Sequence, residues 1–192
     1  GLPLAGLRVL DISSFIAAPA AAVVLGDWGA DVIKIEGPDG DANRKIMHDS
    51  ANYPKAEVNY PWEMDSRNKR SLTLDLKQPA ARAALDKLLA VSDIVICNFP
   101  PPVRDKLKLT YEDMKKVNPK LIYASLTGYG ETGPDRDRPG FDVTAYFARS
   151  GLLDAQRYEG GPPGVPVPAQ GDRATAMTLV SSILLALVHR MK

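Results

Sequence analysis

The sequence has 192 residues, of which 45% are hydrophobic and 24% are charged. Its 24 basic and 23 acidic residues leave a formal net charge of +1 at pH 7. This composition is typical of a globular protein and excludes disordered, collagen-like and coiled-coil chains. A net charge so close to zero provides no field that would hold nucleic acid or an anionic membrane, so neither partner is expected.

The single cysteine, Cys97, cannot form a disulfide within the chain. This usage favours a reducing compartment, and we expect a cytoplasmic location. The longest apolar stretch, residues 176–188, has 13 residues, whereas a membrane-spanning helix needs about 20. We therefore expect a buried helix there, covered by neighbours on more than one side.

Strand and helix patterns alternate along the chain. Short apolar runs predict strands at 7–12, 31–35, 92–97 and 121–126, and an alternating pattern predicts another at 71–76. Helical patterns are predicted at 20–28, 79–91, 111–117, 141–151 and 171–190. This alternation predicts an α/β domain whose largely parallel sheet is flanked by helices, with a right-handed βαβ unit at its start.

Two segments interrupt this alternation. Residues 37–63 are polar and punctuated by glycine and proline, which predicts a long surface excursion with a short helix near 44–48. Residues 159–168 are rich in proline and glycine and are expected to form a rigid, extended connector. Long loops inside compact domains are more often functional than idle.

Ligands of parallel sheets collect beyond the carboxyl ends of the strands, so the segments that follow the strands are the place to look for function. The first such segment, SSFIAAP at 13–19, contains no glycine, which excludes a dinucleotide-binding G-x-G-x-x-G turn. Small residues at Ala17 and Ala18 still permit a close approach by a ligand. A simply packed turn is the alternative.

Two cation pairs have the chemistry to bind phosphate. Arg44 and Lys45 follow the turn residues 37–41, and Lys69 and Arg70 directly precede a predicted strand. Each pair has an ordinary alternative, because turns and edge strands often carry solvated cations. The sequence leaves both interpretations open.

Asn98 and Phe99 follow the predicted strand that ends at Cys97. An amide and an aromatic face at this edge can hold a flat heterocycle such as adenine, or the two residues simply end the strand before a proline turn. The run of apolar residues before it indicates that the Cys97 thiol is buried and structural.

Asp172 follows Gly171 at the start of the long apolar helix. An aspartate in this place most commonly caps the helix N-terminus, and the spacing alone favours that role. The other interpretation is a carboxylate that the helix dipole keeps ionised and that acts as a nucleophile. His48 and His189 lie far apart without zinc-ligand spacing, so no metal site is predicted.

Several stretches together resemble the class III coenzyme A transferases, a family that includes formyl-CoA transferase. The matching segments are LAGLRVLDIS, GDWGADVIKIE, NKRSLTLDLK, ICNF, ASLTGYGETGP, PGFDVTAYFARSG and the Gly171–Asp172 pair. The resemblance runs from Leu4 to Lys192. Members of that family are longer, so we expect this chain to be the N-terminal part of the large domain, without the second, smaller domain.

The resemblance implies a Rossmann-like fold and, for the full-length protein, a homodimer of interlocked subunits. It implies CoA thioesters and carboxylic acids as substrates, no permanently bound cofactor, and Asp172 as the nucleophile. The positions that match the family's CoA pocket are Phe15, Ile16, Ala17, Leu74, Lys77, Asn98, Phe99 and Lys106. Gly37 stands where some relatives place an arginine over the adenine, which puts that contact in doubt.

The activity that the resemblance implies is transfer of CoA between an acyl-CoA and a carboxylic acid through an anhydride on Asp172. The stretches FIAAPAA and GYGETGPDRDRPGFDVTAYFARSG resemble a subgroup of the family that acts on 2-hydroxyacyl or aryl-acyl thioesters. Phe15, Phe141, Tyr146 and Phe147 are candidates for an apolar acyl pocket or, equally, for the core.

Two other functions stay open. Racemases of the same superfamily place a histidine directly before the aspartate that corresponds to Asp142. Phe141 stands there in this chain, and phenylalanine cannot move a proton, which disfavours an acyl-CoA racemase or epimerase. A non-catalytic CoA-binding fragment is the third possibility.

Overall fold

The computed structural model describes residues 1–49, 51, 55–164 and 166–192. In this part of the chain, one sheet is formed by β1 Arg8–Ile12, β2 Asp31–Glu36, β3 Arg70–Thr73, β4 Ile94–Cys97 and β5 Ile122–Ser125. The strand order is β3-β2-β1-β4-β5, and every neighbouring pair is parallel. The predicted α/β fold with a parallel sheet is confirmed.

Helices cover both faces of the sheet. The α-helices are α1 Ala17–Asp27, α2 Ile46–Asp49, α3 Tyr60–Ser66, α4 Pro79–Leu89, α5 Pro101–Leu107, α6 Tyr111–Met114, α7 Leu152–Ala155 and α8 Gln170–Arg190. A short 3-10 helix spans Ala42–Arg44, and a π-helix spans Asp142–Ala148. One apolar core lies between the sheet and α1 with α8, and the second lies under α4 and α6.

The two cores follow from the alternation of side chains along each strand. In β1, Val9 faces α1 and α8, whereas the next residue, Leu10, faces α4. The central strands β1 and β4 are buried on both faces, which explains why their sequences are almost continuously apolar. Alanines along α1 let α8 pack closely against it.

Prolines account for two differences from the predicted elements. NFPPP was expected only to end a strand, but Pro101 begins α5, because the missing N–H of proline costs no hydrogen bond in the first turn of a helix. Pro19 likewise lies in the first turn of α1, which begins at Ala17 rather than at residue 20. The helix predicted at 141–151 is present as the π-helix Asp142–Ala148, and α7 begins beyond the predicted range, after Gly151 with its positive φ of 83°.

The segment 37–63 is less of a surface excursion than the sequence indicated. The short helix expected near 44–48 is present as α2, but Asp41, Asn43 and Met47 are buried. Helix α3, which the sequence analysis missed, begins inside this segment. Residues 50 and 52–54 lie outside the described residues.

Helix α8 corrects the expectation of burial on several sides. Its inner side packs into the core through Ala176, Val180 and Ile183, whereas Leu185 on its outer side is 70% exposed. By length and composition alone, α8 is apolar enough to cross a membrane. A core helix passes the same test, and the inner side of α8 contacts α1.

The topology places a crevice between β1 and β4. From β1 the chain moves through α1 to β2 on one side, while β4 leads to β5 on the other side. The connections therefore diverge beyond the carboxyl ends of β1 and β4. Such a switch point is where open α/β sheets bind their ligands.

Candidate active site

A cavity of about 620 Å³ opens at this switch point. Its walls come from the loops after β1, β4 and β5, from the start of the π-helix, and from the first turn of α8. Six of the predicted site residues line it together: Phe15, Ile16, Ala17, Asn98, Phe99 and Asp172. Residues that are distant in sequence thus meet around a single space.

Three predicted CoA contacts lie elsewhere. Leu74 is partly buried and packs against the core under α4. Lys77 is exposed after β3, and Lys106 is exposed on α5. None of the three lines the cavity, and their part in CoA binding stays a prediction.

Asn98 fastens the two loops that flank the crevice. Its Oδ1 accepts the Ser14 N–H at 2.9 Å, and its Nδ2 donates to the Ser14 carbonyl at 2.8 Å. The amide is thus directed at backbone, a role that neither interpretation of the sequence included. The contact holds the loop after β1 against the loop after β4, across 84 residues of sequence.

Phe15 has a positive φ of 64°, which is uncommon for a residue with a side chain. Its N–H donates to Asp41 Oδ1 at 3.0 Å. Asp41 is buried, and its Oδ2 lies 2.8 Å from Lys34 Nζ. A buried ion pair therefore holds the backbone of the first cavity loop in a strained conformation.

Lys69 is neither a phosphate-binding cation nor a solvated edge cation, so both sequence-based interpretations of this residue are wrong. Its side chain is buried, and its Nζ donates to Asp11 Oδ2 at 2.8 Å and to the carbonyls of Pro19 and Asp65. Burial opposes ionisation of Asp11, but Lys69 and Lys34 hold the pKa of that carboxyl below its usual range. Arg70 is the exposed edge cation that was expected and pairs with Asp31 at 2.6 Å.

Arg44 does not support the predicted phosphate site. Its guanidinium donates twice to Glu36, at 2.7 and 2.6 Å, and lies 3.8 Å from the centre of the Trp62 ring. Glu36 therefore pairs with the charge of the guanidinium, and the Trp62 ring covers one of its faces. Arg44 therefore fixes the segment after β2 instead of presenting a free cation, while Lys45 is exposed.

Asp172 is not the N-cap of α8, which corrects the interpretation that its spacing favoured. The helix begins at Gln170, Ala169 occupies the N-cap position, and Asp172 is the third helical residue. Asp142 Oδ1 accepts the Asp172 N–H at 3.0 Å, so a carboxylate from the π-helix satisfies this donor. The Asp172 carboxylate is consequently left at the cavity wall.

The surroundings of Asp172 change its acidity. Burial, followed by the negative charges of Asp142 and Asp65, raises the pKa of Asp172 to about 6, against the opposing effect of Arg173. Arg173 itself pairs with Asp65, with one contact of 3.1 Å. Above pH 6 the group is an ionised carboxylate of unusually high basicity, which favours nucleophilic attack.

Replacing Gly171 with alanine is expected to displace the first turn of α8. A β-carbon at Gly171 would overlap Asp142 Oδ1 and the ring of Tyr146. We expect a loss of about 1–3 kcal/mol in the unfolding free energy of the complete protein, measured by urea denaturation. Gly37→Ala is the control, because a β-carbon there meets nothing within 4 Å. Equal stability of the two variants would contradict the close packing of Gly171 against Asp142 and Tyr146.

Arg104 is a residue that the sequence analysis missed. Its side chain is 3% exposed and donates to Ser125 Oγ at 2.6 Å, to Glu131 at 2.8 Å and to the carbonyls of Phe99 and Leu126. It thereby joins the loops after β4 and β5, which both line the cavity. A single arginine in a short helix gives no pattern that reveals this position.

Cys97 is buried, and burial raises the pKa of its thiol. The prediction of a buried thiol is confirmed. Among the residues that the structure describes, no group of three or more His, Cys, Asp or Glu residues is arranged to hold a metal ion.

The parallel sheet and the cavity at its switch point place the chain among the Rossmann-like α/β proteins. Residues 4–192 match the model of CoA-transferase family III. The chain therefore belongs to that family, as the resemblance predicted.

Curated relatives are similar over nearly the whole chain. Cinnamoyl-CoA:phenyllactate CoA-transferase of Clostridium sporogenes is 41% identical over 95% of this chain and 44% of that protein. (R)-2-hydroxy-4-methylpentanoate CoA-transferase of Clostridioides difficile is 38% identical over 96% of this chain and 46% of that protein. The beta subunit of succinyl-CoA–L-malate CoA-transferase of Chloroflexus aurantiacus is 42% identical over 98% of this chain and 46% of that protein. The chain thus spans somewhat less than half the length of these relatives.

Solved structures agree with the fold. A CAIB/BAIF family protein from Brucella suis has a TM-score of 0.89 and 35% identity, covering 99% of this chain and 50% of that one. The protein Rv3272 from Mycobacterium tuberculosis also has a TM-score of 0.89, with 36% identity over 100% and 52% of the two chains.

Proposed function

We propose that the complete protein transfers CoA from an acyl-CoA thioester to a carboxylic acid, with Asp172 as the covalent nucleophile. The observation that carries this proposal is the position of Asp172. It lines the cavity at the first turn of α8, while Asp142 satisfies its backbone N–H. The side chain is therefore not needed for capping and is available for chemistry.

In the first half of the reaction, a carboxylate oxygen of Asp172 attacks the thioester carbonyl. The CoA thiolate leaves with the electron pair of the C–S bond, and a mixed anhydride joins the acyl group to Asp172. The thiolate then attacks the aspartyl carbonyl, which releases the donor acid and leaves CoA as a thioester on Asp172.

In the second half, the acceptor carboxylate attacks this aspartyl thioester and forms a new anhydride as the thiolate departs. Attack of the thiolate on the acceptor acyl carbon yields the product thioester and regenerates the Asp172 carboxylate. One thioester replaces another, so the exchange requires no net energy input. Atoms and charges balance in each step.

Two features of the site support this chemistry. Acylation neutralises Asp172 and thereby relieves its repulsion from Asp142 and Asp65. The backbone N–H of Gly171 lies in the first helical turn, where no intrahelical acceptor exists. A donor in such a position can stabilise an oxyanion by about 3 kcal/mol.

The remaining assignments follow from the resemblance. Five of the eight positions that match the family's CoA pocket line the cavity, whereas Leu74, Lys77 and Lys106 lie outside it. We expect a cytoplasmic homodimer of complete subunits and an acyl substrate that is a 2-hydroxy or aryl acid. Two relatives carry such acids, phenyllactate and 2-hydroxy-4-methylpentanoate, in their names.

Isotope transfer tests the proposed function. The complete protein is incubated with cinnamoyl-CoA and phenyllactate that carries ¹⁸O in its carboxylate, and Asp172 is analysed by mass spectrometry. We expect phenyllactyl-CoA to form and ¹⁸O to enter the Asp172 side chain, because the acceptor oxygen passes through the anhydride. Product without label in Asp172 would exclude the aspartyl intermediate.

The same incubation in deuterated water separates the alternatives. A racemase or epimerase exchanges the α-proton of the acyl group, whereas transfer leaves it in place. Phe141 lies on the cavity wall beside Asp142, where a proton-transferring side chain would be needed. A binding module without catalysis would retain CoA and yield neither deuterium exchange nor a covalent adduct.

A further inference from the structure

The cavity beside Asp172 has an aromatic wall. The rings of Phe15 and Phe141 meet edge to face, with their centroids 5.9 Å apart and an interplanar angle of 89°. Both residues line the cavity, and they are 41% and 58% exposed. Burying these rings against an apolar ligand is favourable, because each still has a large apolar surface in contact with water.

Backbone contacts fix the position of this wall. Phe15 is held at its positive φ by the bond from its N–H to Asp41. The Phe141 N–H donates to Thr144 Oγ1 at 2.9 Å. The preceding residue, Gly140, lies so close to Gly128 that a β-carbon on either would be 2.5 Å from the other's Cα. The wall is therefore formed before any ligand enters.

The charges around the cavity disfavour a second carboxylate on the acyl group. Asp142 and Asp172 already bring two acidic side chains to the cavity wall. Among the described residues, the two cations that line it, Arg138 and Arg136, are 66% and 36% exposed and pair at the surface with Asp135 at 3.1 Å and Asp137 at 3.0 Å, so neither is a buried cation without a carboxylate. A distal carboxylate would meet aromatic surface and like charge, and its desolvation would be poorly compensated.

The other aromatic candidates do not contribute to this wall. Phe147 is 4% exposed and belongs to the interior, and Tyr146 packs against Gly171 beneath the first turn of α8. Phe147 and Tyr146 contact each other with ring centroids 5.1 Å apart. Of the four aromatics proposed from the sequence, Phe15 and Phe141 are the two that line the cavity.

We propose that the Phe15–Phe141 pair selects the acyl group, accepting an apolar and preferably ring-bearing monocarboxylic acyl chain and rejecting dicarboxylic ones. This inference rests on the proposed CoA transfer and names its substrate class. The relatives include a phenyllactate and a succinyl-CoA–L-malate CoA-transferase at similar identity, so membership of the family does not by itself decide between these acyl classes.

The test compares the complete enzyme with its Phe141→Ala and Phe141→Leu variants. The measured quantity is the ratio of kcat/KM for cinnamoyl-CoA to kcat/KM for succinyl-CoA. We expect Phe141→Ala to lower this ratio about 10- to 100-fold, because an apolar contact of this size is worth that much discrimination. Phe141→Leu should lower it less. Tyr158→Ala is the control, since Tyr158 is 90% exposed and outside the cavity lining.

A binding measurement separates this inference from the proposed function. Unreactive thioether analogues of cinnamoyl-CoA and succinyl-CoA are titrated into the same proteins. We expect the cinnamoyl analogue to bind at least about 10-fold more tightly than the succinyl analogue, and the preference to shrink in Phe141→Ala. An unchanged preference in the variant overturns the aromatic selection. Failure of all acyl transfer with that preference intact overturns only the transferase mechanism.

Discussion

Substituting Asp172 with asparagine is expected to abolish covalent CoA transfer by the complete protein. The amide has nearly the same shape, but its oxygen is a far weaker nucleophile than a carboxylate oxygen. We expect kcat to fall at least about 10³-fold, with no acyl adduct detected by mass spectrometry, while CoA still binds. Asp154→Asn is the matched control, because Asp154 is an exposed carboxylate on α7. Substantial transfer by the Asp172 variant would refute the assigned role.

The acidity of Asp172 adds a pH dependence to this prediction. Its pKa of about 6 predicts that activity rises as the pH increases through 6, since only the carboxylate attacks. Asp142→Asn keeps an oxygen that can accept the Asp172 N–H but removes a negative charge. We therefore expect the acid limb of the pH–rate profile to move to lower pH. If the acid limb of the profile does not move, Asp142 accepts the Asp172 N–H but does not raise the pKa of Asp172.

The same pKa connects protonation of Asp172 with folding. Because the folded state binds this proton more tightly than the unfolded chain does, Asp172 lowers stability as the pH rises from about 4 to 6. Asp172→Asn removes this effect. At pH 8 we expect the variant to be more stable by about 1 kcal/mol, after allowance for partial exposure, and the difference to vanish near pH 4. A variant that is less stable at pH 8 would contradict the raised pKa of Asp172 in the folded protein.

The second large effect is expected at Lys69, where the complete protein should lose about 3–5 kcal/mol of unfolding free energy on substitution with methionine. Methionine matches the volume of lysine but leaves the fully buried Asp11 carboxylate with one cation fewer. It also leaves the carbonyls of Pro19 and Asp65 without their donor. Urea denaturation at neutral pH measures the loss.

Two further variants show whether the effect comes from the buried charge. Lys45→Met removes the same charge from an exposed position and should change stability little. The double variant Lys69→Met with Asp11→Leu removes both buried charges and should recover part of the loss, because the uncompensated carboxylate is gone. A loss below about 1 kcal/mol in the single variant would show that Lys69 is not needed to balance Asp11.

Local patterns determined most of the fold. Four of the five strands were predictable as short apolar runs between turn residues, and burial of β1 and β4 on both faces makes those runs unmistakable. The exposed edge strand β3 was instead predicted, at 71–76, from its alternating pattern. The Gly171–Asp172 pair and the matching segments were sufficient to indicate the family. These features depend on residues that are close together in the chain and can therefore be recognised from the sequence alone.

Tertiary structure alone decided how the site is held together. Asp142 caps α8 from 30 residues away, Lys69 reaches Asp11 across 58, and Asn98 fixes Ser14 across 84. A cation beside a strand has the same local sequence whether it is solvated or buried, and an aspartate near a helix start has the same spacing whether or not it caps. The choice depends on which carboxylate or carbonyl the folded chain brings within hydrogen-bond distance, and no local pattern encodes that distance.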